Sequence, residues 1–292
     1  MHGRLRRLTE KSEEEIKQEM VKAIKLRMAG ETVLAKIHAK DYSLEAFKVT
    51  GVVAKLNPDF YSIWNYRKDY LVSQIENPDL SEESKLQLLQ SEVQLTEDII
   101  REKDPKCYAV WHHRRWLFQK RPALLTEREI MLCERMLQAD QRNFHCWNHW
   151  MLVTRQLGLS KEALLAFTWD RIKENSSNYS AWHFRGELLR SLLEEKYRSD
   201  APGCLKLLHS ELEVNLNALY TECDDQSSWY YMRTLFTIAT ELSKLEILPA
   251  EAVKSLFDSR LEELEELMSF APDCIYGTKF IEELKEMETE IA

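Results

Sequence analysis

The sequence predicts an all-α protein, a solenoid of stacked antiparallel helix pairs, and three observations predict it. Glycine and proline are scarce, seven of each in 292 residues, too few for the many tight turns of a strand-rich fold. Five tryptophans, Trp64, Trp111, Trp147, Trp182 and Trp229, sit in similar neighbourhoods at spacings of 47, 36, 35 and 47 residues. That is the period range of helical-pair repeats. Around each of them apolar residues recur with a helical period, and no segment alternates as a half-buried strand would.

The elements follow in order. Ser12 and Glu15 form a capping box that opens an N-terminal helix. The repeated segments are NPDFYSIWNYR (57–67), DPKCYAVWHHR (104–114), DQRNFHCWNHW (140–150), NSSNYSAWHFR (175–185) and ECDDQSSWYYMR (222–233). Seven residues before each tryptophan stands Asn57, Asp104, Asp140, Asn175 or Glu222, mostly good turn formers; Pro58 and Pro105 follow the first two, as expected where a helix begins and a missing N–H costs nothing. Three residues before it, four copies carry an aromatic, Tyr61, Tyr108, Phe144 or Tyr179. Seven residues after it come Leu71, Phe118, Thr154, Leu189 and Phe236. Drawn on a helical wheel, these three positions share one face, so packing is the first expectation for all of them.

A second apolar helix precedes each turn. Examples are Ala46, Val49, Val53 and Leu56; Leu89, Val93, Thr96 and Ile100; and Leu208, Leu212, Leu216 and Leu219. Thr126 and Glu129 make a further capping box, opening a helix that ends near Ala139. Beyond about residue 240 the repeat fades, and 249–292 reads as an atypical closing pair with Leu256, Leu261, Leu264 and Leu267 on an acidic, solvated helix. Such pairs bury their faces only by stacking, which predicts a single repeat domain over 1–292.

Composition narrows the function. A formal net charge of −9 argues against broad nucleic-acid binding. No apolar run reaches the roughly 20 residues needed to span a bilayer, and the opening MHGRLRRLTEKSEEE has no apolar stretch of a secretory signal. The six cysteines are scattered without a CxxC pair, which reads as reduced thiols in a cytoplasmic protein. P-loop, GxGxxG, HExxH and GxSxG motifs are all missing. His145, Cys146 and His149 have metal-ligand residue types, but the sister repeat holds Ser180, Ala181 and Phe184 at the same positions, so the repeat explains them better. His112 and His113 read the same way. No metal is expected in this chain.

The repeated Asn/Asp-x-x-x-Tyr/Phe-x-x-Trp-x-x-Arg pattern resembles the repeats of protein prenyltransferase α subunits. The opening MHGR, then NPDFYSIWNYR, RNFHCW, SNYSAWHFR and DDQSSWYY, look more like the Rab geranylgeranyltransferase (type II) α subunits than the α subunit shared by farnesyltransferase and geranylgeranyltransferase type I. The resemblance covers about residues 1–240. It implies an obligate heterodimer with a β subunit that holds the zinc, geranylgeranyl diphosphate as donor, and Rab GTPases presented by a Rab escort protein as acceptors. It also implies that the α subunit alone is inactive and binds no cofactor by itself. An interface of well over ~2,000 Å² fits a permanent complex of this kind. The alternatives are the shared α subunit and a non-enzymatic, tetratricopeptide-like scaffold that binds peptides.

The resemblance also nominates residues. Arg142 and Lys106 lie five residues before their tryptophans. By spacing alone they are exposed turn charges; Arg142 matches the family position where a base approaches the diphosphate, and Lys106 is open between the two readings. A fixed cation there stabilises charge developing on the leaving group. Tyr108, Phe144 and Tyr179 read as core aromatics and as partner-facing ones. Asn143 and Asn178 either hydrogen-bond to the partner or cap the turn. His2, in the MHGR match, could reach the partner's zinc. The family places Arg three residues after Trp, found here as Arg67, Arg114 and Arg185, on the concave surface; Trp150 replaces it in the third repeat, and Arg233 falls one position late in the fifth.

Overall fold

The computed structural model describes residues 12–289. Among them are thirteen α-helices, one short 3-10 turn (Pro122–Leu124) and no strand. A leading helix, α1 (Glu13–His38), is opened by the Ser12–Glu15 capping box, in which each side chain meets the other residue's backbone N–H. Six pairs follow: α2 (Leu44–Leu56) with α3 (Tyr61–Ile75); α4 (Glu82–Glu102) with α5 (Tyr108–Lys120); α6 (Glu127–Ala139) with α7 (Phe144–Gln156); α8 (Lys161–Glu174) with α9 (Tyr179–Lys196); α10 (Ala201–Thr221) with α11 (Gln226–Lys244); and α12 (Ala250–Phe270) with α13 (Ile275–Thr289).

Two compact units divide the chain. The first gathers the residues up to Met136 together with Asn148–Trp150; the second gathers Leu137–Trp147 and the residues from Met151 on. In the first, Phe47, Tyr70, Leu71, Leu89 and Leu117 form a closed apolar cluster. In the second, Leu189, Leu212, Phe236, Phe257 and Phe280 are buried, with Phe236 edge-on to Phe257 at 4.5 Å between centroids. Each such side chain contributes about 1.5–3 kcal/mol on burial, which is why short helices without strong intrinsic propensity hold together here.

The repeat is written in hydrogen bonds as well as in sequence. In all five copies the tryptophan indole N–H donates to the carbonyl six residues earlier: Pro58 (2.7 Å), Pro105 (2.8 Å), Gln141 (2.9 Å), Ser176 (2.8 Å) and Cys223 (2.7 Å). The anchor thus staples its own turn while its ring stays buried. The ring also lies against the residue two positions past the next anchor: Trp64 on His113, Trp111 on His149, Trp147 on Phe184, Trp182 on Tyr231 and Trp229 on Phe280, with centroids 4.7–5.7 Å apart.

Phe280 places the closing pair in register. Its turn, Ala271-Pro272-Asp273-Cys274, has the shape of Asn57-Pro58-Asp59-Phe60. In both, the fourth N–H donates to the first carbonyl, at 3.1 and 3.3 Å. The pair expected from the sequence is therefore a sixth repeat, with Thr278 at the position the tryptophans hold.

Two expectations are corrected here. The α6 boundary is as expected, but the Glu129 carboxylate turns inwards, where Arg114 Nε and His149 reach one oxygen at 2.6 and 2.7 Å and Arg114 Nη2 the other at 2.6 Å. The arginines three residues after Trp do not line a surface. Arg67, Arg114 and Arg185 are all buried. Each spans a carboxylate with two nitrogens, respectively Glu92, Glu129 and Glu211, and gives Nη1 to a carbonyl and a threonine of the helix before it. Gly51 leaves room for one of them, since a Cβ there would sit 3.2 Å from Arg67 Nη1. A side chain from the following repeat completes each group: His113 on Glu92 (2.8 Å), His149 on Glu129 and Tyr231 on Glu211 (2.7 Å each).

Trp150 is buried, so packing replaces the third arginine. The matching positions around it are changed too. Where the three repeats with the arginine have threonine, carboxylate and hydrogen-bonding ring, this register reads Cys133, Leu164 and Phe184. In the fifth repeat Met232 takes the buried position, and Arg233 is exposed and ion-paired with Glu283.

Candidate functional site

The candidate residues stand in the turns that open the second helix of each pair. Tyr61, Tyr108, Phe144 and Tyr179 are the first residues of α3, α5, α7 and α9. They are 56%, 56%, 58% and 43% exposed, so the packing expected of them is corrected. The reason is positional. Cα–Cβ bonds tilt towards the helix N-terminus, so a side chain on the first residue projects off the end of the helix instead of onto its flank. The wheel that puts this position beside the buried tryptophan treats the helix as endless. In the closing repeat Ile275 holds the same place and is exposed as well.

Next to the aromatics stand the nominated bases. Lys106 and Arg142 are both exposed, and each backbone N–H donates to an aspartate at the head of its turn: Lys106 to Asp104 at 2.9 Å, Arg142 to Asp140 at 3.0 Å. Ser177, in the same position of the fourth repeat, donates to Asn175 at 3.1 Å. These bonds fix the loop so that the next side chain leaves it in a set direction. No ion pair ties the Arg142 guanidinium to another described residue.

Asn143 and Asn178 are fully buried N-caps, accepting from the N–H of Cys146 and of Ala181 at 3.2 Å. The cap reading is the one their geometry carries. The Nδ2 of Asn178 has no hydrogen-bond partner. Beside Tyr179 the surface hollows into a cleft of about 260 Å³, walled by Trp229, Tyr230, Tyr276 and Phe280, with Tyr179 and Tyr230 rings 4.8 Å apart. Burial pushes the Tyr179 hydroxyl up to about 12, helped by its bond to Tyr230.

The metal-type residues of α7 do not converge. His149 is buried on Glu129, and among the described residues His145, Cys146 and His149 form no ligand cluster. His113 is likewise spent on Glu92, and His112 lies 3.2 Å from Lys68. Burial holds both His113 and His149 below the usual imidazole range, against the pull of their glutamates, and leaves Nδ1 of each without a partner. That is the pattern of a neutral ring donating through Nε2. Burial would raise the Glu92 and Glu129 carboxyls; hydrogen bonds from the histidines and the charge of the arginines outweigh it and bring both to about 2. His2 lies outside the described residues.

Four segments, 43–73, 89–121, 126–157 and 162–192, match the protein prenyltransferase alpha subunit repeat. Geranylgeranyl transferase type-2 subunit alpha of Rattus norvegicus is 38% identical over 239 residues, covering 80% of this chain and 41% of the rat protein. The protein of that name from Dictyostelium discoideum is 32% identical over 289 residues, covering 95% of this chain and 87% of its own length; that from Saccharomyces cerevisiae is 29% identical over 216 residues. The chain spans less than half the length of the mammalian relatives it matches. A solved structure, Candida albicans protein geranylgeranyltransferase-I complexed with GGPP, superposes with a TM-score of 0.60 at 20% identity over 90% of each chain. That likeness concerns the fold, an α-solenoid of helix pairs.

Proposed function

The chain belongs to the protein prenyltransferase α-subunit family, among the geranylgeranyl transferase type-2 α subunits, and from that premise we propose that it is the non-zinc subunit of a Rab geranylgeranyltransferase. On this reading a β subunit holds the zinc and most of the isoprenoid pocket, geranylgeranyl diphosphate is the donor, and C-terminal cysteines of escorted Rab GTPases are the acceptors. Zinc bound there supplies the charge that turns a substrate thiol into a thiolate nucleophile. The observation that carries the proposal is the exposed aromatic that opens the second helix of four successive repeats, with a base two residues before it in two of them. Four large aromatics kept in water by one structural rule are unusual without a partner to cover them. The exposed row Ile16, Met20, Ile24 and Met28 on α1 supports the same need.

Within the complex, Tyr108, Phe144 and Tyr179 are assigned to the partner face. Lys106 and Arg142 are assigned to the diphosphate, where a cation held by a fixed turn stabilises charge that grows as the allylic carbon–oxygen bond breaks. Asn143 and Asn178 act beneath them by setting each turn. The test is co-expression with candidate β subunits, followed by transfer of labelled geranylgeranyl to a Rab protein with and without escort protein. A stable one-to-one complex that modifies Rab only when escorted is the expected result. Transfer to a short CaaX peptide without escort would assign the chain to the shared α-subunit role. Failure to pair with any β subunit would remove the enzyme reading.

A further inference from the structure

The seam between the fifth turn and the closing repeat brings together three side chains that the reading above does not use. Cys223 and Asp224 lie six and five residues before Trp229, and Cys274 lies four before Thr278. One ligand atom from each lies within 4.8 Å of the other two. The frame behind them is fixed. The Cys223 carbonyl receives both the Trp229 indole N–H at 2.7 Å and the Cys274 thiol at 3.0 Å. Cys274 is buried, Cys223 half-buried and Asp224 exposed, so the group opens to solvent on its carboxylate side.

The repeat supplies an internal control. In the first seam Cys107 occupies the place of Cys274, and Asp59 that of Asp224; the Cys107 thiol donates to Asp59 Oδ1 at 3.2 Å. The position of Cys223 is there filled by Pro58. The two seams share backbone register, a cysteine and an aspartate; they differ by one thiol and in the bond the buried thiol makes, to Asp59 in the first and to the Cys223 carbonyl in the second. A Cys–Asp pair alone is a hydrogen bond. In the last seam the thiol bonds the Cys223 carbonyl instead, leaving the Asp224 carboxylate and a second, half-buried sulfur gathered around the first. Packing gives no reason for it, whereas coordination does.

We propose that Cys223, Asp224 and Cys274 form a binding site for a thiophilic d10 cation of the zinc class. Two sulfurs and one carboxylate oxygen are the ligand types such ions take, with a fourth, open position for water. One oxygen is too few for calcium or magnesium, which demand oxygen shells. Binding releases the two thiol protons and involves no change of oxidation state. It would tie the fifth turn to the closing pair, so that the metal stabilises the C-terminal end of the chain. The inference stands apart from the transferase reading and can fail without it.

The test is titration of the full chain, kept reduced, with Cd(II) and then Zn(II), read as thiolate-to-cadmium charge-transfer absorption and as bound metal after equilibrium dialysis. The expected result is one site per chain. It should be lost in Cys223→Ser and in Cys274→Ser, weakened about tenfold or more in Asp224→Asn, and unchanged in Cys107→Ser. Zn(II) should raise the melting temperature of the unaltered chain and not that of Cys223→Ser. Circular dichroism establishes that each variant is folded; Asp224→Asn, at an exposed position, keeps the test decisive if a buried serine disturbs folding. Equal uptake by the unaltered chain and Cys223→Ser, no uptake by the unaltered chain, or no effect of Asp224→Asn would each overturn the site.

Discussion

Replacing Arg67 by methionine should destabilise the first unit severely, while removing the whole buried group around it should cost little. The guanidinium donates to Glu92 through Nε at 2.8 Å and again through Nη2, to the Phe47 carbonyl at 2.8 Å and to Thr50 at 2.9 Å. It also stacks 4.0 Å over the Phe47 ring. Taking it away leaves Glu92, itself buried, with a neutral imidazole as its remaining partner. A buried charge stripped of its partner costs about 3–5 kcal/mol, a large part of the roughly 5–15 kcal/mol that holds a domain together. The triple change Arg67→Met, Glu92→Leu, His113→Phe removes both charges and the polar ring at once, copying the chemistry the third repeat already carries as Trp150, Leu164 and Phe184. Burial without unpaired charge is then close to neutral. Guanidinium denaturation followed by tryptophan fluorescence, with Trp64 and Trp111 as local reporters, measures both. A single variant that loses less than about 1 kcal/mol, or a triple variant as unstable as the single one, would refute the reasoning.

Three other outcomes are expected. Arg142→Ala and Lys106→Ala should each lower transferase turnover by about 10²–10³ while leaving the amount of complex with the β subunit unchanged by gel filtration. Phe144→Ala and Tyr179→Ala should do the reverse, weakening assembly by about 2 kcal/mol or more each if they anchor the interface; the chain's own melting temperature should be unmoved in Phe144→Ala, whose side chain is exposed, and fall only by what the Tyr230 contact contributes in Tyr179→Ala. Acid should destabilise the chain in two stages. His113 and His149 are held below the ordinary imidazole value and Glu92 and Glu129 at about 2. Their stabilising contribution is therefore complete above pH ~6.5, and it falls first as the imidazoles and then, below ~4.5, as the carboxylates take up protons more readily unfolded than folded. Melting temperature against pH checks this, and a flat profile from 7 to 3 would contradict it.

Periodicity was the legible part of the fold. Five tryptophans in phase place five turns to the residue, because a ring that size can be repeated only where the structure repeats. The sixth turn escaped the same reading since Thr278 lacks the ring; the signal was still present in Ala271-Pro272-Asp273-Cys274, which copies the first turn, and in Phe280. The sequence locates the exposed aromatics, but a helical wheel puts them inside. A helical wheel carries angle and not height, and exposure at the first residue of a helix is a matter of height. The arginines after each tryptophan could be found and not interpreted, because their partners Glu92, Glu129 and Glu211 lie 25, 15 and 26 residues downstream with no constant offset. Only the register of the preceding helices, with Thr50, Thr96 and Thr168 in equivalent places, brings those offsets into line.

That register separates two jobs within one repeated unit. Tryptophan, the turn carbonyl it binds and the ring of the next repeat recur in every copy, whether that ring is histidine, phenylalanine or tyrosine. They are what makes one pair stack on the next. The arginine–carboxylate group is optional, since the third repeat omits every polar member together. In the third repeat its parts are absent together, as expected of buried ion pairs whose members are costly alone and near neutral in sum; the fifth exchanges the arginine for Met232 and keeps a buried polar residue, Asn215, in the threonine's place. One turn position varies widely in charge between copies, with Asp59, Lys106, Arg142, Ser177, Asp224 and Asp273, and all but the half-buried Ser177 are exposed. Apart from Asp59, which accepts from the Cys107 thiol of the next repeat, stacking tolerates acid, base or serine at this position, so the charge there is free to be set by what each turn meets. The two bases fall in consecutive repeats and the acids in repeats outside them, so an anion would be drawn to the second and third turns.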